Sequence, residues 1–323
     1  MKKKILITGG AGFIGSSLYD ELKNANECFI LDNFDGFYAK KIKYSNLGCK
    51  NKAELKKLKN LYIGSITNRA FLKKLFLDNK FDAVIHCAAM AGVRSSFENP
   101  KKYFEVNVNG TINLLDECRK HKIKKFLFLS SSSVYGANKK LPFNEKLEVM
   151  PISFYAQTKC SAEEVVRLYS RHFNVDAVIL RLFTVYGPRQ RPDLAIHKFF
   201  LQSIKGETSE IFGSFKTKRD YTYIADVVSG IKKSFAYLIK NNGCEIINIG
   251  SSNPITMKEM IEEIKLIIPE FKYKLTDPAE GDMEKTFADI RKAEQLLMYR
   301  PSQNFKSGIK EFYKWFRKTY DYD

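Results

Sequence analysis

The stretch KILITGGAGFIGSSL, residues 4–18, places three regularly spaced glycines between a short apolar run and the start of a helical pattern. Gly9, Gly12 and Gly15 recur every third residue directly after a predicted strand. Glycines in this position permit a tight turn and let backbone N–H groups approach a pyrophosphate at the helix N-terminus. Glycine-rich turns also occur in binding loops without a nucleotide. The stretch alone therefore predicts a strand, a turn and a helix. It predicts dinucleotide binding only together with other features of the sequence.

An acidic residue follows at a distance that suits a dinucleotide-binding unit. Asp32 ends the second apolar run, ECFILD, seventeen residues after Gly15. A carboxylate there can accept hydrogen bonds from the adenosine ribose hydroxyls and would repel a 2′-phosphate, which favours NAD over NADP. An aspartate that only caps a loop is the alternative. In the strand, glycine and helix context, we predict that the cofactor is NAD.

Short apolar runs alternate with helical patterns through KILIT, ECFILD, DAVIHCAA, KKFLFLSS and VDAVILRLF. This alternation is typical of a doubly wound α/β fold, in which crossover helices join parallel strands. The pattern breaks after LFTVYGPRQRPD, and the later segments are shorter and mixed. We predict a Rossmann-fold NAD-binding domain over residues 1–180 with returning segments near 225–250. A smaller mixed α/β substrate-binding lobe would cover residues 181–323.

The composition is that of an ordinary globular protein, with 44% hydrophobic residues in a chain of 323. The net charge is +18, but the lysines are spread along the whole chain, so we expect no nucleic-acid partner. The six cysteines form no CxxC pair and no zinc-like spacing, which argues against a metal site and fits a reducing compartment. No segment approaches 18 apolar residues, so we expect a soluble cytoplasmic protein without a membrane contact.

Tyr155 and Lys159 lie four residues apart in an amphipathic helical pattern, so their side chains share one face. A phenol has a pKa near 10, and lowering it to about 7 takes roughly 4 kcal/mol, which an ammonium and an oxidised nicotinamide can supply by charge. A surface Tyr-Lys pair is the alternative. The run FLSSSSVYG, residues 128–136, favours proton transfer. A strand ending there would deliver Ser131 and its neighbours to the carboxyl edge of the sheet, where ligands bind.

Together these motifs resemble the extended short-chain dehydrogenase/reductase superfamily, in its nucleotide-sugar branch. The resemblance rests on the glycine turn, Asp32, HCAA at 86–89, Asn107, the serine run before Val134-Tyr135-Gly136, and Tyr155 with Lys159. It implies a catalytic serine at Ser131, a base at Tyr155, and at Lys159 the partner that lowers the pKa of the tyrosine. It also implies NAD contacts from Gly9, Gly12, Phe13, Ile14, Gly15, Asp32, Asn33, Ile66, Ala88, Ala89, Asn107, Tyr155 and Lys159. The chain departs from the family at Ser65, where an aspartate usually faces adenine.

The reaction implied by the resemblance is inversion of carbon 4 of a UDP-sugar through a 4-keto intermediate. Dehydratases of this branch carry an Asp-Glu pair after the catalytic hydroxyl residue, where this chain has Ser132 and Ser133. Decarboxylases that act on glucuronate carry Glu directly before Val-Tyr-Gly, where this chain again has Ser133. Epimerisation needs neither additional acid nor additional base, so it is the predicted reaction.

The segment RLFTVYGPRQRPDLAIHKF, residues 181–199, is similar to UDP-glucuronate 4-epimerases, in which a Thr and an Arg hold the sugar carboxylate. The residues of this chain that match them are Thr184 and Arg191, and a guanidinium can bind a carboxylate bidentately. Hexose 4-epimerases usually have Asn in place of Thr184 and Arg in place of Ala279. The further substrate contacts implied are Arg94, Ser132, Ser133, Ala195, Phe199 and, at the pyrophosphate, Arg219. A basic loop at Arg189 and Arg191 that grips phosphate is the alternative, as is a structural salt bridge for Arg94.

Two other functions stay open from the sequence. One is a UDP-glucose or UDP-N-acetylglucosamine 4-epimerase, and the other is a non-catalytic dinucleotide-binding protein with the same fold. The presence of Ser131, Tyr155 and Lys159 together favours an enzyme, because a binding protein needs no such set. The resemblance also implies a homodimer, formed through helices such as those predicted at residues 99–121 and 153–173.

Overall fold

The computed structural model of this chain describes residues 2–278 and 280–320, so Ala279 lies outside the described residues. The strands, in chain order, are β1 (Lys4–Thr8), β2 (Glu27–Asp32), β3 (Leu61–Ile63), β4 (Ala83–His86), β5 (Lys125–Ser131), β6 (Asp176–Leu182), β7 (Thr184–Tyr186), β8 (Ser209–Phe212), β9 (Lys218–Arg219), β10 (Tyr221–Tyr223), β11 (Cys244–Ile249), β12 (Ile255–Thr256) and β13 (Tyr273–Thr276). The α-helices are α1 (Phe13–Leu22), α2 (Lys40–Asn46), α3 (Lys52–Leu55), α4 (Arg69–Asp78), α5 (Ser95–Glu98), α6 (Pro100–Phe104), α7 (Gly110–Lys120), α8 (Phe154–Phe173), α9 (Ala195–Ile204), α10 (Ile224–Lys240), α11 (Met257–Ile267), α12 (Arg291–Leu297) and α13 (Phe305–Tyr320). A π-helical turn spans Glu105–Asn109, and a 3₁₀ turn spans Ser132–Tyr135.

Seven strands form one parallel sheet in the order β3-β2-β1-β4-β5-β6-β11. Strands β2 and β3 lie on one side of β1, and the later strands lie on the other side. All neighbouring strands of this sheet pair in parallel register, for example Ile7 beside Ile30 and Ile85. The predicted doubly wound Rossmann-type sheet is confirmed. In open sheets of this kind, ligands bind at the carboxyl ends of the strands where the strand order reverses, here between β1 and β4.

Both faces of the sheet are buried, which explains why its strands read as continuous apolar runs. Ile5 and Ile7 of β1 pack into one hydrophobic cluster, while Leu6 between them packs into the cluster on the opposite face. This alternation follows from the two-residue period of a strand. Helices cover both faces. Among the described residues, no helix combines the length and apolar composition that crossing a bilayer requires.

The later part of the chain builds a third hydrophobic cluster and also returns to the sheet. Helices α9, α11 and α13 pack around Phe200, Ile264 and Phe312 in a cluster of their own. Strand β11, from the segment near residue 245, pairs with β6 as the last strand of the sheet. Helix α10 packs against α1 on one face of the sheet. The domain boundary at residue 180 stays a prediction.

The buried residue Asp220 ties segments of the later part of the chain to the end of the sheet. Its Oδ1 accepts hydrogen bonds from the backbone N–H and the hydroxyl of Ser251, both at 2.7 Å, just beyond β11. Its Oδ2 accepts from the N–H groups of Ser252 and Ala288, each at 3.0 Å. Its backbone carbonyl accepts from the N–H of Thr184 at 3.0 Å. The side chain thereby joins two segments, and the backbone of the same residue joins them to the start of β7, beside the candidate site.

A second buried carboxylate, Glu163, holds helix α8 against the sheet. Its two oxygens accept hydrogen bonds from Nε and Nη2 of Arg181 on β6, at 3.0 and 2.7 Å, and the hydroxyl of Ser130 on β5 also donates to it. Both charged side chains are almost fully buried, at 4% and 6% exposed. A buried charge is tolerated only when it is paired and hydrogen-bonded, so this geometry sets where α8 lies on the sheet.

We expect Glu163→Leu to lower the free energy of unfolding by roughly 3–5 kcal/mol, because Arg181 would keep a buried charge without its partner. Urea denaturation followed by circular dichroism measures this loss. The matched control is Glu164→Leu on the same helix, whose ion pair with Arg167 is about half exposed. That variant should lose less than about 1 kcal/mol. Similar losses in the two variants would contradict the role given to the buried pair.

Candidate active site

A cleft of about 510 Å³ lies at the carboxyl ends of the sheet strands. It is lined by the glycine turn after β1, the loops after β2, β3, β4, β5 and β6, helix α8, the last residue of β9 and the segment 281–286 after β13. Most residues predicted to bind or act meet here: Gly9, Gly12, Phe13, Ile14, Gly15, Asp32, Asn33, Ile66, Ala88, Ala89, Ser131, Ser132, Ser133, Tyr155, Lys159, Thr184, Arg191 and Arg219. The structure thus brings them together, and their individual roles stay predictions.

The glycine turn leaves no room for side chains. Gly9 has a φ of +67°, and a Cβ there would lie 2.7 Å from the backbone nitrogen of Ala88. A Cβ on Gly15 would collide with the carbonyl oxygen of Gly9. Helix α1 then begins at Phe13, and its N-cap residue Gly12 makes no side-chain cap. The first N–H groups of α1 therefore point into the cleft without a capping side chain, which suits an anionic group such as a pyrophosphate.

Asp32 lies where its carboxylate can meet a ribose. Its Oδ2 accepts from the N–H of Ala11 in the glycine turn at 3.1 Å, and its Oδ1 accepts from the N–H of Phe34 at 2.8 Å. Lys43 of α2 lies 3.5 Å away and is 9% exposed at its side chain. Lys43 also lines the cleft, and sequence reasoning missed it because nothing distinguishes it from the many other lysines of the chain. Its charge partly offsets the repulsion that Asp32 would exert on a phosphate.

A chain of buried hydrogen bonds supports the cleft from behind β4. Thr111 donates its only hydroxyl proton to the carbonyl of Asn107 at 2.6 Å, so Nε2 of His86 carries the ring proton and donates to Thr111 at 3.0 Å. Nδ1 of His86 therefore accepts from the hydroxyl of Thr8 at 2.7 Å, and that hydroxyl accepts from the N–H of Ala88 at 3.2 Å. Burial lowers the pKa of His86 to about 3, so this histidine is neutral and serves as a structural link.

Asn107, which was predicted to contact NAD, is not part of the cleft lining. Its side-chain oxygen accepts from the N–H of Met90 at 2.8 Å, and its side-chain nitrogen donates to the carbonyl of Met90 and the hydroxyl of Thr158, both at 2.9 Å. Thr158 in turn donates to the carbonyl of Tyr155 at 2.8 Å. The amide therefore joins the loop after β4 to the helix that carries Tyr155, so it acts on the site by positioning.

Tyr155 and Lys159 lie on the same face of the first turns of α8, as predicted. Burial raises the pKa of Tyr155, while the hydroxyl of Ser131 and the charge of Arg191 oppose that rise. Lys159 donates to the carbonyl of Leu129 at 2.8 Å. Burial lowers the pKa of Lys159 to about 8. The phenol therefore stays protonated at neutral pH unless further positive charge reaches it, and the ammonium is the predominant form of Lys159 below about pH 8.

The serine run ends β5 and turns at once into the cleft. The backbone N–H of Ser133 donates to the hydroxyl of Ser131 at 3.1 Å, and the Ser131 hydroxyl lies 3.1 Å from that of Ser133. A serine hydroxyl both donates and accepts, so the pair can pass a proton or hold a sugar hydroxyl beside Tyr155. Ser132 is 6% exposed but also reaches the cleft lining.

Arg191, in the loop between β7 and α9, brings a positive charge to the cleft. Its Nε and Nη2 donate to the two oxygens of Asp193 at 2.9 and 2.6 Å. Nη2 also donates to the carbonyl of Ala91 at 3.2 Å, and the guanidinium lies 5.4 Å from the ring centroid of Phe37. Thr184, the first residue of β7, lines the same cleft. The pair predicted to hold a carboxylate is therefore present in one cavity with Tyr155.

The other basic residues of the predicted site differ in placement. Arg189 points away from the cleft and pairs with Asp20 of α1 at 2.7 Å. Arg94 is not among the residues that line the cleft; it pairs with Asp282 at 3.0 Å, and its guanidinium lies 3.8 Å from the ring centroid of Phe212. Arg219 lines the cleft and donates to the carbonyl of Glu284 at 3.0 Å. Of these three arginines, only Arg219 is placed to contact a ligand in this cavity.

Two predicted substrate contacts lie elsewhere. Ala195 is the first residue of α9 and is exposed outside the cleft, while Phe199 is 3% exposed and packs against Phe271 in the third hydrophobic cluster. Their neighbour Leu194 lines the cleft instead. Ser65 also lines it, with its hydroxyl 2.8 Å from that of Thr67. Sequence reasoning missed several lining residues that carry no motif, among them Phe37, Tyr38, Met90, Leu129 and Phe183.

The described residues contain no cluster of three or more His, Cys, Asp or Glu side chains that could hold a metal ion. The groups that line the cleft include the turn N–H groups, the carboxylate of Asp32, the phenol of Tyr155, the ammonium of Lys159, the serine hydroxyls and the guanidinium groups of Arg191 and Arg219. This donor set suits an uncharged diol, a pyrophosphate and proton transfer to or from a hydroxyl.

Comparisons with known proteins agree with this geometry. The sequence model described as the NAD dependent epimerase/dehydratase family matches residues 5–250. A UDP-glucuronate 4-epimerase from Thermodesulfobacterium geofontis is 38% identical over 97% of this chain and 96% of its own length. The crystal structure of a UDP-glucuronic acid 4-epimerase from Bacillus cereus, in complex with UDP-glucuronic acid and NAD, has a TM-score of 0.88 at 34% identity, covering 98% of this chain and 100% of that one. A UDP-glucose 4-epimerase from Thermotoga maritima, solved with UDP-glucose, has a TM-score of 0.87 at 31% identity, covering 98% and 99% of the two chains.

The lowered pKa of Lys159 predicts how catalysis depends on pH. Because burial places this pKa at about 8, the ammonium is present below that pH and is lost above it. Tyr155 has to ionise to act as a base, so we expect kcat/KM to rise with pH, to stop rising at about pH 8 where the ammonium is lost, and to fall at higher pH. A pH series on the wild-type protein measures this limit. Lys159→Met should be slower by roughly 10²–10⁴-fold and should lack the limit at pH 8. A wild-type rate that keeps rising to pH 10 would contradict the need for the ammonium.

Proposed function

Because the chain belongs to the NAD dependent epimerase/dehydratase family, we propose that it is an NAD-dependent UDP-sugar 4-epimerase whose substrate is UDP-glucuronate. The product would be UDP-galacturonate. The observation that supports this substrate is the presence of Arg191 and Thr184 in one cleft with Tyr155, Ser131 and the glycine turn. A positive charge beside the reacting groups suits a sugar that carries a carboxylate, and it can make no ion pair with a neutral hexose.

The residues present fit NAD. The glycine turn and the first N–H groups of α1 would receive the pyrophosphate, Asp32 would accept hydrogen bonds from the adenosine ribose hydroxyls, and Lys159 would donate to the nicotinamide ribose. When bound, NAD supplies the acceptor and later the donor of the hydride at carbon 4. Because the overall reaction returns that hydride, the protein has no need to release its cofactor between turnovers.

Tyr155 is the proposed base. Its phenolate would accept the proton of the O4 hydroxyl as carbon 4 is oxidised to a ketone, and it would return the proton to O4 when the ketone is reduced. Burial raises the pKa of the phenol, so the positive charges around it decide whether it ionises. Arg191 and the Ser131 hydroxyl already act in that direction. The Ser131 hydroxyl would also hold O4 in place while the proton moves.

The 4-keto sugar has to present its opposite face before reduction, while the nucleotide stays bound. Arg219 would hold the pyrophosphate, and Ser132 and Ser133 would receive the hydroxyls of the turning sugar. The chain has serines where a dehydratase carries its Asp-Glu pair, so it lacks the acid and base for eliminating water. Elimination of water is therefore not open to the intermediate, while reduction of the ketone is.

The carboxylate contact has a second consequence. Oxidation at carbon 4 of a uronate gives a β-keto acid, which loses carbon dioxide when its carboxylate bond aligns with the carbonyl π system. Arg191 and Thr184 would hold the carboxylate away from that alignment. Recognition of the substrate and protection of the intermediate would therefore depend on the same two side chains.

The oligomeric state and the location in the cell belong to the same proposal. We propose a homodimer formed through α6, α7 and α8, supported by large apolar side chains that these helices leave partly exposed, namely Phe104, Phe154, Leu168 and Phe173 at 37–43%. We propose a cytoplasmic location, supported by six cysteines that are all free thiols.

The substrate preference is tested by comparing kcat/KM for UDP-glucuronate, UDP-glucose and UDP-N-acetylglucosamine. The uronate should be preferred, and Arg191→Ala should reduce kcat/KM for it by about 10–150-fold, the loss of one charge-assisted contact of about 1.5–3 kcal/mol. For UDP-glucose, kcat/KM should fall less, because that substrate loses only the support that Arg191 gives to the ionisation of Tyr155. Some UDP-pentose in the products of the variant would support the restraint of the keto acid.

The matched control is Arg189→Ala, which removes an arginine of the same loop that pairs with Asp20 outside the cleft. It should leave the preference for the uronate unchanged. A wild-type preference for either neutral sugar would overturn UDP-glucuronate as the substrate, and the loop would then serve the nucleotide phosphates.

A further inference from the structure

The Arg191 guanidinium has two edges that can hold a carboxylate bidentately, and both use Nη2. The Nε–Nη2 edge already holds Asp193, and the second Nη2 hydrogen goes to the carbonyl of Ala91. Nε and Nη2 donate to the two carboxylate oxygens of Asp193, two residues along the chain, at 2.9 and 2.6 Å. This is the parallel two-bond geometry that an arginine makes with any carboxylate, including that of a uronate. A substrate carboxylate that takes the same bonds has to displace Asp193.

The two partners of this pair are held differently. Arg191 is fixed by further contacts, with the carbonyl of Ala91 at 3.2 Å and the ring of Phe37 at 5.4 Å from its guanidinium, and its side chain is 16% exposed. The Asp193 side chain is 34% exposed, and both of its hydrogen bonds to side chains go to Arg191. Asp193 is therefore the member of the pair that can turn towards water while Arg191 stays in the cleft.

We propose that Asp193 competes with the substrate carboxylate for Arg191 and thereby sets the affinity of the site for uronates. This inference rests on the proposed function. With no uronate present, Asp193 neutralises a guanidinium that is otherwise poorly hydrated. When UDP-glucuronate binds, one carboxylate replaces another, so the net gain is smaller than that of a new ion pair.

This competition has a use in an epimerase. The substrate and the product both carry the carboxylate, so a guanidinium without an internal partner would hold both and slow release of the product. A neutral sugar cannot displace Asp193, because it offers no charge in exchange. Asp193 would therefore weaken the binding of uronates while leaving the binding of neutral sugars unchanged.

The test uses Asp193→Asn, which keeps the shape of the side chain and removes its charge. Dissociation constants for UDP-glucuronate and UDP-glucose are measured by calorimetry on the NAD-loaded protein, in a Tyr155→Phe background that prevents turnover. The uronate should bind about fivefold more tightly, equal to about 1 kcal/mol for a partly exposed pair. UDP-glucose should bind no more tightly. In the Tyr155-containing protein, KM for the uronate should fall without a rise in kcat, since product release slows.

The matched control is Asp20→Asn, which makes the same charge change and frees the neighbouring Arg189 of the same loop outside the cleft. It should not change the affinity for the uronate. Equal tightening by both variants would show a general charge effect and overturn the proposal. Weaker uronate binding by Asp193→Asn would overturn it as well, because Asp193 would then orient Arg191. If wild type prefers the uronate and Asp193→Asn leaves its affinity unchanged, only this inference fails; if wild type has no such preference, the proposed function fails with it.

Discussion

All seven strands of the central sheet run parallel, so their carboxyl ends meet at one edge, and the chemistry of this protein depends on that constraint. The glycine turn follows β1, Asp32 ends β2, Ala88 follows β4, Ser131 ends β5 and Thr184 follows β6. Residues far apart in the chain therefore line one cleft without any long loop. The reversal of strand order between β1 and β4 opens that cleft to a ligand, and helix α8 adds Tyr155 and Lys159 at its wall.

Burial sets the proton chemistry of the cleft. It raises the pKa of Tyr155 and lowers that of Lys159. The phenol therefore ionises less readily, and the ammonium loses its proton more readily, than either group would in water. Positive charge near the phenol offsets the cost of ionising it, and Arg191 supplies part of that charge. The same arginine is the proposed partner of the sugar carboxylate. Substrate recognition and the ionisation of the base are in this way coupled through one guanidinium.

Features carried by local patterns were predictable from the sequence. The sheet followed from apolar runs that alternate with helical patterns, and the cleft residues Gly9, Ser131 and Tyr155 followed from motifs at strand ends. Tertiary contacts were not predictable in this way. Phe199 lies in a hydrophobic cluster because Phe271, far along the chain, packs on it. Asn107 joins two segments through its amide and lies outside the cleft lining. The pairing of Arg191 with Asp193 depends on the turn of a loop, which single residue types do not reveal.

The proposed reaction requires that the hydrogen removed from carbon 4 as hydride returns to the same carbon on the opposite face without leaving the cleft. UDP-glucuronate carrying deuterium at carbon 4 can be incubated with the purified protein in ordinary water, without added NAD, and the product analysed by NMR and mass spectrometry. We expect UDP-galacturonate that keeps the deuterium at carbon 4 in nearly every molecule. Replacement of the deuterium by solvent hydrogen, or inversion at another carbon, would contradict it.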